Sequence, residues 1–229
     1  MKKLLISFLC VLSVLTLLSC SQDVTTTQKT SVNGLTTKNI VAGAVYDGSK
    51  IVAFQVLGFI ENNSSETKES ISIRVDWEDS SGRVLKSDNY SILSLAPGKK
   101  CPIWIYHSSS SDISTLNSFS KVTINYLSAS NASGMYTTDF IFNDIVFSSS
   151  GDCTRVTGKL VNNSSMKVGS LCIEAGSVSS AGKCVEYGID ILRGEVLSPG
   201  QSTTFDFTFC LPIGTPSTTY FYCSGKKVT

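Results

Sequence analysis

Three short signatures recur in the same order along the chain, and this duplication constrains the fold more than any other feature. Gly-x-x-x-Asn-Asn-Ser-Ser begins at Gly58 and again at Gly158, one hundred residues later. A Ser-x-Gly turn follows in both copies, and Leu-x-Pro-Gly then begins at Leu95 and again at Leu197. The period is longer than the roughly 20–50 residues of solenoid repeats. The sequence therefore predicts two tandem copies of one domain-sized module.

Both copies show the two-residue periodicity of half-buried β-strands. Apolar residues occupy every second position from Ile71 to Trp77, and Phe205, Phe207 and Phe209 alternate in the same way. No stretch of helical length shows a 3.6-residue period. Short strands separated by turns favour an all-β fold built from β-sandwiches. We place the two domains at residues 40–128 and 140–229.

The ordered set of signatures resembles the FxLYD-type immunoglobulin-like modules of bacterial secreted proteins and lipoproteins. It comprises the Gly-x-x-x-Asn-Asn-Ser turn, an Ile/Val-rich strand ending in Asp-x-x-Gly, and Leu-x-Pro-Gly before the last strands. The resemblance implies two tandem immunoglobulin-like β-sandwiches that bind or space other molecules outside the cytoplasm. It implies no catalytic residues and no cofactor. The second copy departs from the pattern, with Ala175-Gly176-Ser177 where the first has Val75-Asp76-Trp77.

The first twenty residues have the features of an export signal. Lys2 and Lys3 precede an uncharged apolar run, Leu4–Leu18, which is shorter than the roughly 20 residues of a membrane span. The run ends at Cys20 in a sequence that resembles a bacterial lipobox, although Leu18 departs from the small residue usual there. We expect a signal peptide over residues 1–19, lipidation of Cys20, and a flexible tether over residues 20–39. The expected location is the bacterial cell envelope, at the outer membrane or the cell surface.

The charge balance excludes an electrostatic nucleic-acid binder. The chain has 19 basic and 18 acidic residues, so loss of the leader changes its net charge from +1 to −1. Nucleic-acid binding requires a clustered basic excess. The expected function is that of a lipid-anchored, non-catalytic binding or spacer protein, with an envelope protein or glycan as its partner. Two alternatives are an envelope polymer hydrolase with a site between the domains, and an assembly factor that offers the strand Tyr220–Cys223 as an open sheet edge.

Six cysteines remain once Cys10 leaves with the leader and Cys20 is lipidated. Only Cys101 lies in the first module, so it either crosses to the second module or stays a thiol. A four-residue turn at 179–182 would place Cys184 opposite Ser177, which argues against pairing with Cys172. A zinc site is not expected, because the chain has no C-x-x-C and one histidine. The possible disulfide cysteines are Cys153, Cys172, Cys184, Cys210 and Cys223.

Three further clusters of residues suggest a function, but each also has a simpler structural interpretation. His107 with the following serines and Asp112 suggests a triad, but adjacent residues on one exposed loop do not build one. Asp76, Glu78 and Asp79 suggest calcium, although a solvated hairpin tip is the simpler reading. The phenylalanine stripe and the run Tyr220-Phe221-Tyr222 suggest a carbohydrate or partner platform, although strand aromatics are more often core. Trp77 and Trp104 are expected in the core as well.

Overall fold

The computed structural model describes residues 25–30, 34–150, 153–209 and 214–229. The first module is a β-sandwich of a four-stranded and a three-stranded sheet, in the orders β1-β7-β4-β5 and β2-β3-β6. A short helix of about two turns, α1, connects the two sheets. The elements are β1 Thr25–Thr30, β2 Leu35–Asp47, β3 Lys50–Asn62, β4 Lys68–Asp79, β5 Val84–Leu95, β6 Lys100–His107, α1 Ser110–Leu116 and β7 Phe119–Asn131.

The second module repeats the strand order of the first, although its counterpart of β1 is a two-residue strand that pairs antiparallel. Its sheets have the orders β8-β14-β11-β12 and β9-β10-β13, which are the orders of the first module advanced by seven strands. The all-β prediction and the predicted duplication are thus confirmed. The strands are β8 Tyr136–Thr137, β9 Phe140–Ser150, β10 Cys153–Asn162, β11 Val168–Val178, β12 Cys184–Leu197, β13 Ser202–Phe209 and β14 Thr218–Lys227.

The repeated Asn-Asn-Ser-Ser signature ties the turn after the second long strand to the body of each module. The Asn62 amide donates to the carbonyl oxygens of Leu95 at 2.7 Å and Glu66 at 2.8 Å, and its Oδ1 accepts from Ser64. Asn162 makes the corresponding bonds in the second module. Both asparagines are fully buried, so the repeated signature serves turn structure.

The repeated glycines, Gly58 and Gly158, lie opposite a bulge in the neighbouring strand. The bulge residues Asn39 and Asp144 have φ angles of 57° and 54°. A β-carbon on Gly158 would lie 2.5 Å from the ring of Phe205, and one on Gly58 would overlap Ile40. The glycines are therefore required because side chains of the same module occupy that space.

The buried alternating residues form the two cores as expected. Trp77 is fully buried in the first core. The phenylalanine stripe lies in the second core, with exposures of 1–6%, so the core interpretation is correct and the platform interpretation is wrong for Phe205, Phe207 and Phe209. Trp104 is different, because it packs outside the first core at the junction with the second module.

The structure changes the expected boundaries of the tether. Residues Thr25–Thr30 form β1, which runs parallel to β7, and β2 begins at Leu35 rather than at Ile40. The expected tether, residues 20–39, is therefore largely strand where the structure describes it. Thr and Gln suggested a flexible segment by composition, but threonine is also well suited to strands.

Candidate functional site

Some of the sequence predictions fall on residues that the structure does not describe. The signal peptide, Cys20 and Cys210 all lie outside the described ranges. Within those ranges, no helix has both the length and the apolar character needed to cross a membrane.

His107 ends β6 and lies in a half-buried network rather than on an exposed loop, so that prediction is wrong. Its Nε2 lies 2.9 Å from Asp88 Oδ2, and its Nδ1 lies 3.5 Å from Asp112 Oδ2. The Trp77 indole N–H donates to the same Asp88 oxygen at 2.8 Å. Because both imidazole nitrogens face carboxylates, neither is directed at a serine hydroxyl as a triad requires. Ser109 instead caps α1, because its hydroxyl oxygen accepts a hydrogen bond from the backbone N–H of Asp112. We therefore interpret this network as structural.

The three carboxylates of the suggested calcium site are engaged by the protein itself. Asp76 is 4% exposed and accepts from Asn125 Nδ2 at 2.7 Å, while Glu78 is 3% exposed and faces Lys121. Both are buried on β4, so the solvated-tip interpretation holds only for Asp79. There, hydrogen bonds from Ser81 and Arg83 lower the pKa of the carboxyl to about 2. Among the described residues, no group of histidine, cysteine and acidic side chains could hold a metal ion.

The described cysteines do not support the pairings considered from the sequence. Cys184 lies opposite Val178, one position beyond the predicted Ser177, and six residues along β11 from Cys172. That separation is about 20 Å at 3.3 Å per residue, too far for a disulfide. Cys172 and Cys223 lie on neighbouring strands but on opposite sheet faces, since Cys223 pairs with Ile173. These three residues and Cys101 are free thiols.

The free thiols are also expected to be unreactive at neutral pH. Burial raises the pKa of Cys172 and Cys184 to about 12, and raises the pKa of Cys101 and Cys223 well above the usual range. A thiol that stays protonated at neutral pH is a poor nucleophile and a poor metal ligand. These cysteines therefore contribute packing rather than reactivity.

The two modules are joined by an apolar interface formed by the outer face of β3 and β6 and the outer face of β11 and β12. Leu57 and Phe59 are 2% and 0% exposed there, against Val178 and Cys184 of the second module. The Trp104 ring lies 5.4 Å from the Tyr187 ring. Because Leu57 and Phe59 point away from their own core, their complete burial requires the second module.

Gly176 explains why the second copy departs from the first at Ala175-Gly176-Ser177. A β-carbon at Gly176 would lie 2.8 Å from the Phe59 ring and 3.1 Å from Pro102 Cβ. The equivalent residue in the first copy, Asp76, faces Asn125 and needs no such approach. The departure in sequence thus marks the strand on which the modules meet.

A buried carboxyl group lies at the edge of this interface. Glu174, 9% exposed, accepts hydrogen bonds from Tyr90 at 2.7 Å, Tyr187 at 2.9 Å and the Cys101 thiol at 3.1 Å. Tyr90 and Cys101 belong to the first module, whereas Tyr187 belongs to the second. Burial, and then the charge of Glu174, raise the pKa of the Tyr90 hydroxyl. The cluster joins the modules through polar bonds from which water is largely excluded.

Tyr222, on the last strand, reaches into the core of the first module. It is 5% exposed, packs with the buried cluster of that module, and donates its hydroxyl hydrogen to the carbonyl oxygen of Ser94. The platform interpretation of this aromatic run is therefore wrong for Tyr222. Tyr220 and Phe221 on either side of it are half-buried.

A groove of about 450 Å³ runs along β14 at the junction of the modules. Its volume is within the range of ligand pockets, roughly 300–1,000 Å³. One wall comes from the first module and the other from the second, so the groove exists only when the modules are docked. The side chains that line it include Glu61, Lys99, Lys100, Phe140, Phe142 and Tyr220.

The groove has a basic rim. Lys100 Nζ lies 4.8 Å from the centre of the Tyr220 ring, in a cation–π contact. Glu61 lies between Lys38 at 3.7 Å and Lys100 at 3.8 Å, so its charge is balanced by protein lysines. Lys99 is exposed beside them. The groove therefore presents aromatic surface with net positive charge.

Sequence reasoning missed Glu174 and the groove, and it named Tyr222 only as part of a surface platform. Two signals pointed to this junction: the aromatic run Tyr220-Phe221-Tyr222, and the small-residue segment around Gly176, which was noted only as a departure from the repeat. The alternation pattern predicts which residues share a face, but it does not predict what covers that face.

Comparison with known proteins adds little to this description. No family model matches the chain, and no curated protein matches it. Among solved structures it is similar to red sea bream transglutaminase, with 7% identity and a TM-score of 0.24 over 76% of this chain and 27% of that chain. The chain thus spans about a quarter of the length of that enzyme. A likeness of this degree carries no argument about activity.

Proposed function

We propose that the protein is a non-catalytic binding protein of the bacterial cell envelope, attached to the membrane through a lipid on Cys20. A single observation carries the proposal: the groove along β14 is built from both modules, which are docked as one unit. Composite clefts of this kind are the usual places for ligand recognition. The partner is an envelope protein or a glycan.

Two features favour binding over a spacer role. The modules pack across strand faces, so the second module adds thickness rather than length. β1 begins five residues after Cys20, and five extended residues span at most about 18 Å. Such a protein stays close to the lipid surface, which suits capture of an envelope component more than projection away from it.

The hydrolase alternative gains no support from Glu174, Glu61 or His107. It needs convergent carboxylates in an open cleft, or a histidine placed between a serine and a carboxylate. Glu174 is enclosed by three donors, Glu61 is held between two lysines, and both nitrogens of His107 face carboxylates.

Cell fractionation tests the anchor. Wild-type protein is expected in the membrane fraction with a mass increase of a diacylated cysteine, whereas Cys20→Ala should be recovered in the soluble fraction. Cys10→Ala is the matched control, because that residue lies in the leader. Wild-type protein that is soluble and unacylated would contradict the proposal.

Binding is tested on the same material. Lys99→Glu and Lys50→Glu proteins, with identical changes in charge, are compared with wild type in cross-linking on solubilised envelopes. The proposal expects Lys99→Glu to lose one specific cross-linked partner and Lys50→Glu, at the tip of the β2–β3 hairpin, to keep it. Equal cross-linking by all three proteins would contradict a binding role for the groove.

A further inference from the structure

β14 has an open edge for most of its length. It pairs with β11 on one side from Thr218 onward, whereas β8 pairs with it on the other side only at Gly225 and Lys226. In the described part of the chain, no other strand adjoins residues 218–224. The outward amide and carbonyl groups of a strand with one neighbour are available for another strand.

The duplicated fold shows what occupies the equivalent edge in the first module. There β1 lies parallel to β7 and pairs with Lys121–Asn125. Trp77 pairs with Val122 and its counterpart Ser177 pairs with Thr219, so the covered segment corresponds to residues 218–222. The same scaffold therefore accepts a parallel strand at this edge in one copy and leaves it open in the other.

The surroundings of the open edge define the chemistry of an incoming strand. Phe140, Phe142 and Tyr220 offer apolar surface beside it. Lys99 and Lys100 lie on the facing wall, and the exposed Lys226 follows on β14 itself. A segment that alternates apolar and acidic residues would place one set against the aromatic rings and the other beside the lysines.

We infer that the groove binds an extended segment of a partner protein, with alternating apolar and acidic residues, which adds to β14 as a parallel strand in the manner of β1 on β7. This inference rests on the proposed binding function and specifies its partner. Main-chain hydrogen bonds would supply the affinity, and the side chains of the groove would supply the selectivity.

The test uses ten-residue peptides selected from a random-sequence display library on the mature full chain. Selected peptides should alternate apolar and acidic residues. Hydrogen exchange measured by NMR should show at least tenfold slower exchange for the outward amides of residues 218–222 when the peptide is bound. A spin label on the peptide N-terminus should broaden the signals near Thr218 more than those near Gly225.

Charge variants complete the test. Affinity for the selected peptide should fall at least tenfold in Lys99→Glu and change less than twofold in Lys50→Glu. Both sites are exposed, so both variants should keep the wild-type melting temperature. Failure to select any peptide, or binding that leaves β14 exchange unchanged, overturns strand addition. The envelope cross-linking experiment then decides whether the proposed binding function survives without strand addition. It survives if Lys99→Glu loses its cross-linked partner. If Lys99→Glu keeps that partner, both the binding function and strand addition are wrong.

Discussion

Removing the charge of Glu174 should weaken the junction of the modules. Glu174→Gln keeps the size of the side chain but replaces one oxygen with an amide NH₂ group, which cannot accept a hydrogen bond. The two tyrosine bonds lose charge assistance, roughly 1 kcal/mol each, and the Cys101 thiol is left facing a donor, roughly 1–2 kcal/mol more. The total of about 3–4 kcal/mol is a large fraction of the 5–15 kcal/mol typical of whole domains.

Calorimetry on the mature full chain measures this effect. For a protein of this size 1 kcal/mol corresponds to about 2–4 °C, so Glu174→Gln should lower the melting temperature by roughly 10 °C. Glu195→Gln is the matched control, because that glutamate is exposed on β12 and its replacement should cost less than about 0.5 kcal/mol. Trp104 fluorescence should report solvent entry at the junction in the first variant only. Equal melting temperatures for the two variants would refute the reasoning.

Four further predictions concern ionisable and sulfur-containing groups. At pH 8 the thiols of Cys184 and Cys223 should resist alkylation until the protein is unfolded, because burial holds their pKa high; rapid modification of the native protein would contradict this. Stability should fall as the pH rises from 9 toward 12, since the unfolded chain releases thiol and phenol protons that the native state retains; a urea midpoint that is constant over this range would disagree. Absorbance at 295 nm should then show that one set of tyrosines ionises only on unfolding, namely Tyr90, Tyr126, Tyr187 and Tyr222. Finally, the last described pair of β10 and β13 is Thr154 with Phe209. Because Cys153 precedes Thr154 in the chain and Cys210 follows Phe209, peptide mapping of oxidised protein should identify a Cys153–Cys210 disulfide. A different pairing would contradict the prediction.

The sequence predicted the features that depend on local periodicity and turns. The repeat around Asn62 and Asn162 predicted the duplication because each asparagine satisfies the backbone of its own turn. The alternation in β4 and β13 predicted which residues are core. Both kinds of signal arise within one module.

The features that could not be predicted arise where separate parts of the chain meet. Trp104 alternates like a core residue, yet its face is covered by the second module rather than by its own sheet partner. Glu174 has the sequence context of an exposed strand residue and is buried only because Tyr90 and Cys101 lie opposite it. β1 has a composition that suggested a tether, and its strand conformation depends on the edge of β7.

The insertion of Tyr222 into the first core has a consequence for the order in which the polypeptide can fold. Synthesis proceeds from the N-terminus, and domains generally fold as they emerge. The first module, however, lacks one of its buried residues until β14, a strand of the second module, is available. A product truncated before Thr218 therefore never completes the first core, and it also lacks the Tyr220 ring that packs against Phe59. Maturation of the first module therefore waits for β14 of the second module, and this strand acts as a checkpoint that separates molecules with a complete first core from those without one.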